Sequence, residues 1–300
     1  MIRLITEKIG SALSISVLMF AVFCIILGYQ DSTSLFKVSI LFLEGLLLNF
    51  LCFRYSIIGQ KNNAVLVIFT ILSVLVLPEI SVKDLLYGLV CLGAFFLAFE
   101  SREQPKYTRN YLMYFGLLLG VSQLTNSISV LLLIPAFLLF IQTGTRDIRG
   151  FLLSIFYFVI IVIAFSCILY VVDLPDKISS LIPNLTFDYL SFDTILYKLF
   201  LPFLLLSILI HFLSLNTYRF RFPNKSKILN FRMLIQLLIV LALIVITADN
   251  NLIIYAVMMA SVLLSFAFVY KRDNIFANSA FLSLFCIALA SLYLYQILIL

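Results

Sequence analysis

Apolar runs long enough to cross a hydrocarbon core recur from one end of this chain to the other, broken only by short polar segments. This repetition constrains the fold more than any single motif does. A run such as "SALSISVLMFAVFCIILG" offers no polar face to water and does not alternate. An amphipathic surface helix and a half-buried strand are both excluded for it. Composition agrees: 64% of the 300 residues are hydrophobic and 11% charged, with a mean hydropathy of +1.18. An ordinary soluble domain carries about 25% charged residues. In lipid every backbone N–H and C=O must be paired within the protein, and a barrel would show period-two alternation. The expected fold is therefore all-α, a polytopic transmembrane helix bundle forming a single integral membrane domain over 1–300.

Polar breaks place about eleven spans, each long enough to enter or cross the core. They fall near 10–29, 35–53, 63–78, 84–99, 111–125, 128–142, 151–172, 196–215, 233–248, 252–270 and 276–297. "MIRLITEKIG" has the basic start of a signal peptide, but the run after it lacks a small-x-small cleavage site and reads as a retained first span. Charge sets the direction. With a cytoplasmic N-terminus and alternating sides, only Lys37, Lys83, Lys177 and Lys198 of the 20 basic residues fall outside. That is the bias of the positive-inside rule. Asp31, Glu79, Asp84, Asp173, Asp176, Asp188, Asp193 and Asp249 fall on the outer side.

The basic stretch "TYRFRFPNKSKILNFR" puts Arg219, Arg221, Lys225 and Lys227 at the inner surface. It could hold anionic headgroups; a topology signal is the plainer reading. Nucleic acid is not an expected partner, because the basic residues are spread over many short loops. The lipid bilayer is.

Two places are irregular. Segments 111–125 and 128–142, joined by "LTNSIS", are each roughly 22 Å long, short of a ~30 Å core. They read as a tight hairpin or a re-entrant pair, with Gln123 and Asn126 at or just below the outer surface. Pro135 removes one helical hydrogen bond and permits a kink. The outer loop 173–195 carries Leu181, Ile182, Leu185, Phe187, Tyr189, Leu190 and Phe192. So apolar a loop suggests a short helix lying in the interface.

Glu44, in "LFLEGLLLNF", is the midpoint of its span. A charge there costs ~2.5–3.5 kcal/mol. The functional reading is a proton site, an ion site or a substrate anchor; the plain one is a protonated acid hydrogen-bonded to a neighbouring helix. The spacing of Glu44, Asn49 and Arg54 recurs as His211, Asn216 and Arg221, which an internal duplication or chance would produce. Asp31, in "GYQDST", reads first as a turn or cap residue. Cys24, Cys52, Cys91, Cys167 and Cys286 lie in apolar runs without a CxxC pair, and His211 is the only histidine. No disulfide framework, metal site or cofactor is expected. Walker A, dinucleotide-binding, HExxH and GxSxG motifs are absent from the sequence.

The order "LSVLVLPEISVKDLLYGLVCLGAFFLAFESREQPK" then "NYLMYFGLLLGVSQLTNSISVLLLIPAFLLFIQTGTRDIRGF" resembles an uncharacterised multi-pass inner-membrane family of Bacteroidota, a domain of unknown function. "RFRFPNKSKILNFRMLIQLLIV" and "AFVYKRDNIFANSAFLSLFCIALASLYLYQ" extend the likeness. The resemblance implies the bacterial cytoplasmic (inner) membrane, and no activity. More distantly, "YFGLLLGVSQLTNSISVLLLIPAFLLF" is similar to the mid-region of polyprenyl-phosphate-dependent membrane glycosyltransferases. Those enzymes use an acidic residue in a long first outer loop; here that loop is the short "YQDST", with Asp31.

Three functions compete. The first is a non-catalytic subunit of a cell-envelope complex, with protein partners. The second is a lipid-linked glycosyltransferase-like or lipid-handling enzyme, with Asp31, Glu44 and Asn126 around an outward cavity for a polyprenyl-phosphate lipid. The third is a secondary transporter with Glu44 as the coupling group.

Overall fold

The computed structural model describes residues 8–26, 32–58, 62–76, 80–125, 131, 133–143, 147–172, 205, 208–209, 224–247, 251–270, 278–279 and 281–290. Among them the regular structure is helical, without a strand. The helices are α1 (Ile9–Ile26), α2 (Ser32–Arg54), α3 (Ala64–Val76), α4 (Val82–Glu103), α5 (Thr108–Thr125), α6 (Leu133–Thr143), α7 (Ile148–Val171), α8 (Asn224–Thr247) and α9 (Asn251–Tyr270). An apolar helix α10 follows at Phe281–Ala290. Each expected span except 196–215 overlaps one of these helices. That span, apart from Leu205, Ile208 and Leu209, and the loop 173–195 lie outside the described residues.

Among the described residues three helices are long and apolar enough to cross a membrane: Leu35–Arg54 within α2, Val82–Glu103 and Ile148–Val171. Shorter apolar stretches lie at Ile9–Val22, Ala64–Val76, Phe231–Ile244, Leu252–Phe266 and Phe281–Ala290. Ala64–Val76, with 13 residues, reaches only ~20 Å at ~1.5 Å per residue.

Described residues within Met1–Ser81, Leu190–Leu241 and Leu252–Leu300 form one compact unit; those within Val82–Tyr189 and Ala242–Asn251 form a second. In the first unit α1 and α2 both pack on α3. All residues of α3 are buried. Gly45 sets the approach of α2: a Cβ there would lie 2.8 Å from Phe69 Cδ1 and 3.2 Å from Leu66 Cδ1. Phe20 of α1 meets Phe42 of α2 edge-on at 6.2 Å. Leu252 to Phe266 of α9 is buried throughout, and Phe268 meets Phe281 of α10 at 5.7 Å.

In the second unit α5 packs along α7, and α4 packs against α5 and α6. The α5–α7 seam is built on small residues. A Cβ at Gly116 would overlap the Ser154 carbonyl oxygen, and one at Gly120 would lie 2.8 Å from Ile161 Cβ. Glycines four apart let apolar helices meet backbone to backbone, where dispersion and weak polar contacts act at shortest range. Phe115 meets Phe137 at 5.8 Å and Phe140 at 5.3 Å, and Phe137 meets Phe151 at 5.1 Å. These rings knit α5, α6 and α7 together.

Pro135 falls in the first turn of α6 as described, where a backbone N–H has no intrahelical acceptor to lose. Helix α5 starts at Thr108, earlier than its apolar run, so the polar residues "TRN" continue the helix. Asp84, which the expected threading puts on the outer side, is buried in the first turn of α4, where the helix dipole favours a carboxylate.

Candidate functional site

The buried face of α2 comprises Ile40, Leu41, Glu44, Leu48, Asn49, Leu51 and Cys52; the opposite face exposes Leu35, Phe36, Leu43, Leu47, Phe50 and Phe53. Helical periodicity thus turns Glu44 inward, while the outward face stays apolar. Glu44 is 0% exposed. Neither of its carboxyl oxygens has a hydrogen-bond partner among the described residues. An uncompensated buried charge costs several kcal/mol, on the order of 3–5. The site calls for a proton, a cation or a donor.

Asn49 lies five residues further along α2, about 7.5 Å by helical rise. Its Nδ2 donates to Asn63 Oδ1 at 3.0 Å, in a buried bond to the residue that leads into α3. Asn49 Oδ1 has no hydrogen-bond partner among the described residues. Asn62 makes this geometry possible. Its Oδ1 accepts from Ala64 N at 3.1 Å, an Asx turn that starts α3. On α1, the Ser16 hydroxyl is also buried without a partner among the described residues.

The end of α2 is fixed by its backbone. Ile57 N donates to Cys52 O at 3.0 Å and Ser56 N to Phe53 O at 3.2 Å. This is a Schellman closure, with Ser56 at φ +52° where glycine is usual.

The second unit gathers polar groups at one end. Gln104 Nε2 donates to Glu100 Oε2 at 3.2 Å, and Tyr111 Oη donates to Gln104 Oε1 at 3.2 Å. Thr108 Oγ1 donates to Pro105 O at 2.9 Å. Arg109 Nε meets Asp147 Oδ2 at 2.8 Å, and Asp147 caps α7 by accepting from Gly150 N at 3.2 Å. The Arg109 hydrogen bond, helped by the Gly150 amide, holds the Asp147 carboxyl below the usual carboxylate range.

Of the residues singled out from the sequence, Glu44 and Gln123 are buried. They belong to different units. Lys225 and Lys227 fall in the first turns of α8. Asp31, Asn126, His211, Arg219 and Arg221 lie outside the described residues. Among the described residues no three His, Cys, Asp or Glu side chains group to hold a metal. None of the five cysteines is in a disulfide, and Cys52 and Cys91 are buried.

Sequence reasoning passed over Asn63, Gly116 with Gly120, and Asp147. A GxxxG spacing in "GLLLG" signals the glycine seam, and the Asp before "IRG" signals a cap. Nothing local in the sequence signals the partnership of Asn63 with Asn49. Comparison with family models, with curated proteins and with solved structures finds no match for the chain.

Proposed function

We propose that this chain is a multi-pass protein of the bacterial cytoplasmic membrane, with a cytoplasmic N-terminus and about eleven membrane segments by length and hydropathy. Its role in this reading is that of a non-catalytic membrane subunit in a cell-envelope assembly. The observation that carries the membrane placement is the outward surface of α7. Leu152, Ile155, Phe156, Val159, Ile160, Ile163 and Ile168 are all exposed along it. Such a surface is unstable in water and at rest in lipid.

The subunit reading rests on the same helix. Only Gly150, Ser154, Phe158 and Leu169 of α7 are buried. Most of its circumference is left for lipid or for the helices of another protein.

Gentle extraction from native membranes, with cross-linking before solubilisation, tests the reading. A stable envelope protein should co-purify with the chain in fixed proportion. Recovery of the chain alone, from every detergent that keeps it folded, would count against a subunit role. Orientation is tested by cysteines placed one at a time at Lys106 and Ser81 in a cysteine-free background. An impermeant thiol reagent applied to intact cells should modify the Ser81 position and spare the Lys106 position.

A second reading, secondary transport, is favoured by the inward carboxyl of Glu44. It requires that a cation reach that group.

A further inference from the structure

We infer that Glu44 is the centre of a monovalent-cation site inside the first unit, filled by a proton or by Na⁺. This deepens the transport reading of Glu44 but does not depend on the envelope partner.

The first observation is the surplus of acceptors. Both Glu44 oxygens and Asn49 Oδ1 are buried on the inward face of one helix, and none has a donor among the described residues. Buried polar atoms are nearly always satisfied. Three unfilled acceptors within about two helical turns call for something that donates or carries positive charge.

The second observation is the charge of the surroundings. Helix α3, packed on α2, has no titratable residue, and α1 has only Cys24. On α2 itself Lys37 is half-buried two turns away, Cys52 is buried and Arg54 is exposed. Helix α9 carries no charged residue; α8 carries Arg232, half-buried with interactions of its own, and Lys225 and Lys227 at its start. No described side chain forms an ion pair with Glu44.

One negative charge in apolar surroundings is balanced by one positive charge. A monovalent cation therefore fits, and a divalent one would leave a net charge buried. Asn49, held by Asn63 at 3.0 Å, presents its free oxygen at a fixed position. That rigidity suits a cation ligand better than a mobile side chain would.

The test uses the full chain in native-lipid membranes and dicyclohexylcarbodiimide, a reagent that adds to protonated carboxyls in apolar surroundings. Peptide mass mapping locates the adduct. Glu44 should be labelled, and its rate should fall roughly tenfold per pH unit once the carboxyl ionises. Replacing choline chloride by sodium chloride at fixed pH should slow labelling further if Na⁺ is the cation. A pH-dependent rate indifferent to sodium assigns the proton.

Either result supports the site. A Glu44 that stays unlabelled from acid to alkaline pH while the protein remains folded overturns the inference. So does a rate independent of both pH and sodium, which marks a permanently satisfied structural acid. Glu44→Gln should lose the adduct. If the variant fails to fold, the wild-type rates alone decide.

Discussion

Helices α3 and α7 are almost equally apolar along their lengths, yet one is wholly buried and the other keeps only four buried residues. Hydropathy measures only aversion to water. It does not say whether the replacement solvent is lipid or protein. Length separates the two helices, since α3 has 13 residues and α7 has 24. So does the placement of small residues: α7 keeps Gly150 and Ser154 for its single protein-facing stripe, whereas α3 contacts protein all round.

The largest expected effect breaks the glycine seam between α5 and α7. Gly116→Leu drives a side chain into the Ser154 backbone, which cannot swing away as a side chain could. Overpacking typically costs about 1–3 kcal/mol and more against backbone. The variant should fail to accumulate as folded protein, read by protease resistance in membranes.

Next, Ile160→Lys probes the exposed face near the middle of α7. If that face meets lipid, insertion or stability should fall by about 3 kcal/mol. If it met water, the change would stay within roughly 0.5 kcal/mol. Glycosylation-reporter insertion assays separate the two.

A smaller pair of changes measures packing alone. Ile71→Val in α3 should cost about 1 kcal/mol, because a methyl-sized void forms in a closed core. Ile163→Val in α7 should cost almost nothing, since lipid chains fill the gap. Equal losses in detergent unfolding would erase the contrast between the helices.

A pH-dependent effect lies at the polar foot of α7. The folded Asp147 carboxyl titrates below its unfolded value because Arg109 donates to it. Its contribution is thus present above the unfolded value, near pH ~4, and is lost as pH falls through the folded one. Arg109 is 63% exposed, so solvent screening keeps the ion pair to less than about 1 kcal/mol. Asp147→Ala should lose that plus a cap of about 1 kcal/mol, and most of the loss should persist at high salt, where only the pair is screened.

Much of this architecture was legible in the chain. The apolar runs locate the helices, because in an apolar solvent the backbone has few other ways to pair. The inward turn of Glu44 was legible as a cost that lipid would impose. The Asn49–Asn63 bond was not, because it depends on how α2 and α3 are set side by side, and no local pattern encodes that. Ser56 was equally silent: its left-handed backbone is imposed by the Schellman closure at the end of α2, against the ordinary preference of serine. Gly116 and Gly120 were readable from their spacing, and their role came to light only with Ser154 opposite.

The glycine seam also governs how the second unit can move. Where Gly116 meets the Ser154 backbone, no side chain separates α5 from α7, and nothing at that point can yield by small degrees. A relative slide would have to leap a whole helical repeat, about 5.4 Å, or not occur. These two rods should travel as one plank, leaving the looser seats of their neighbours to absorb any working stroke.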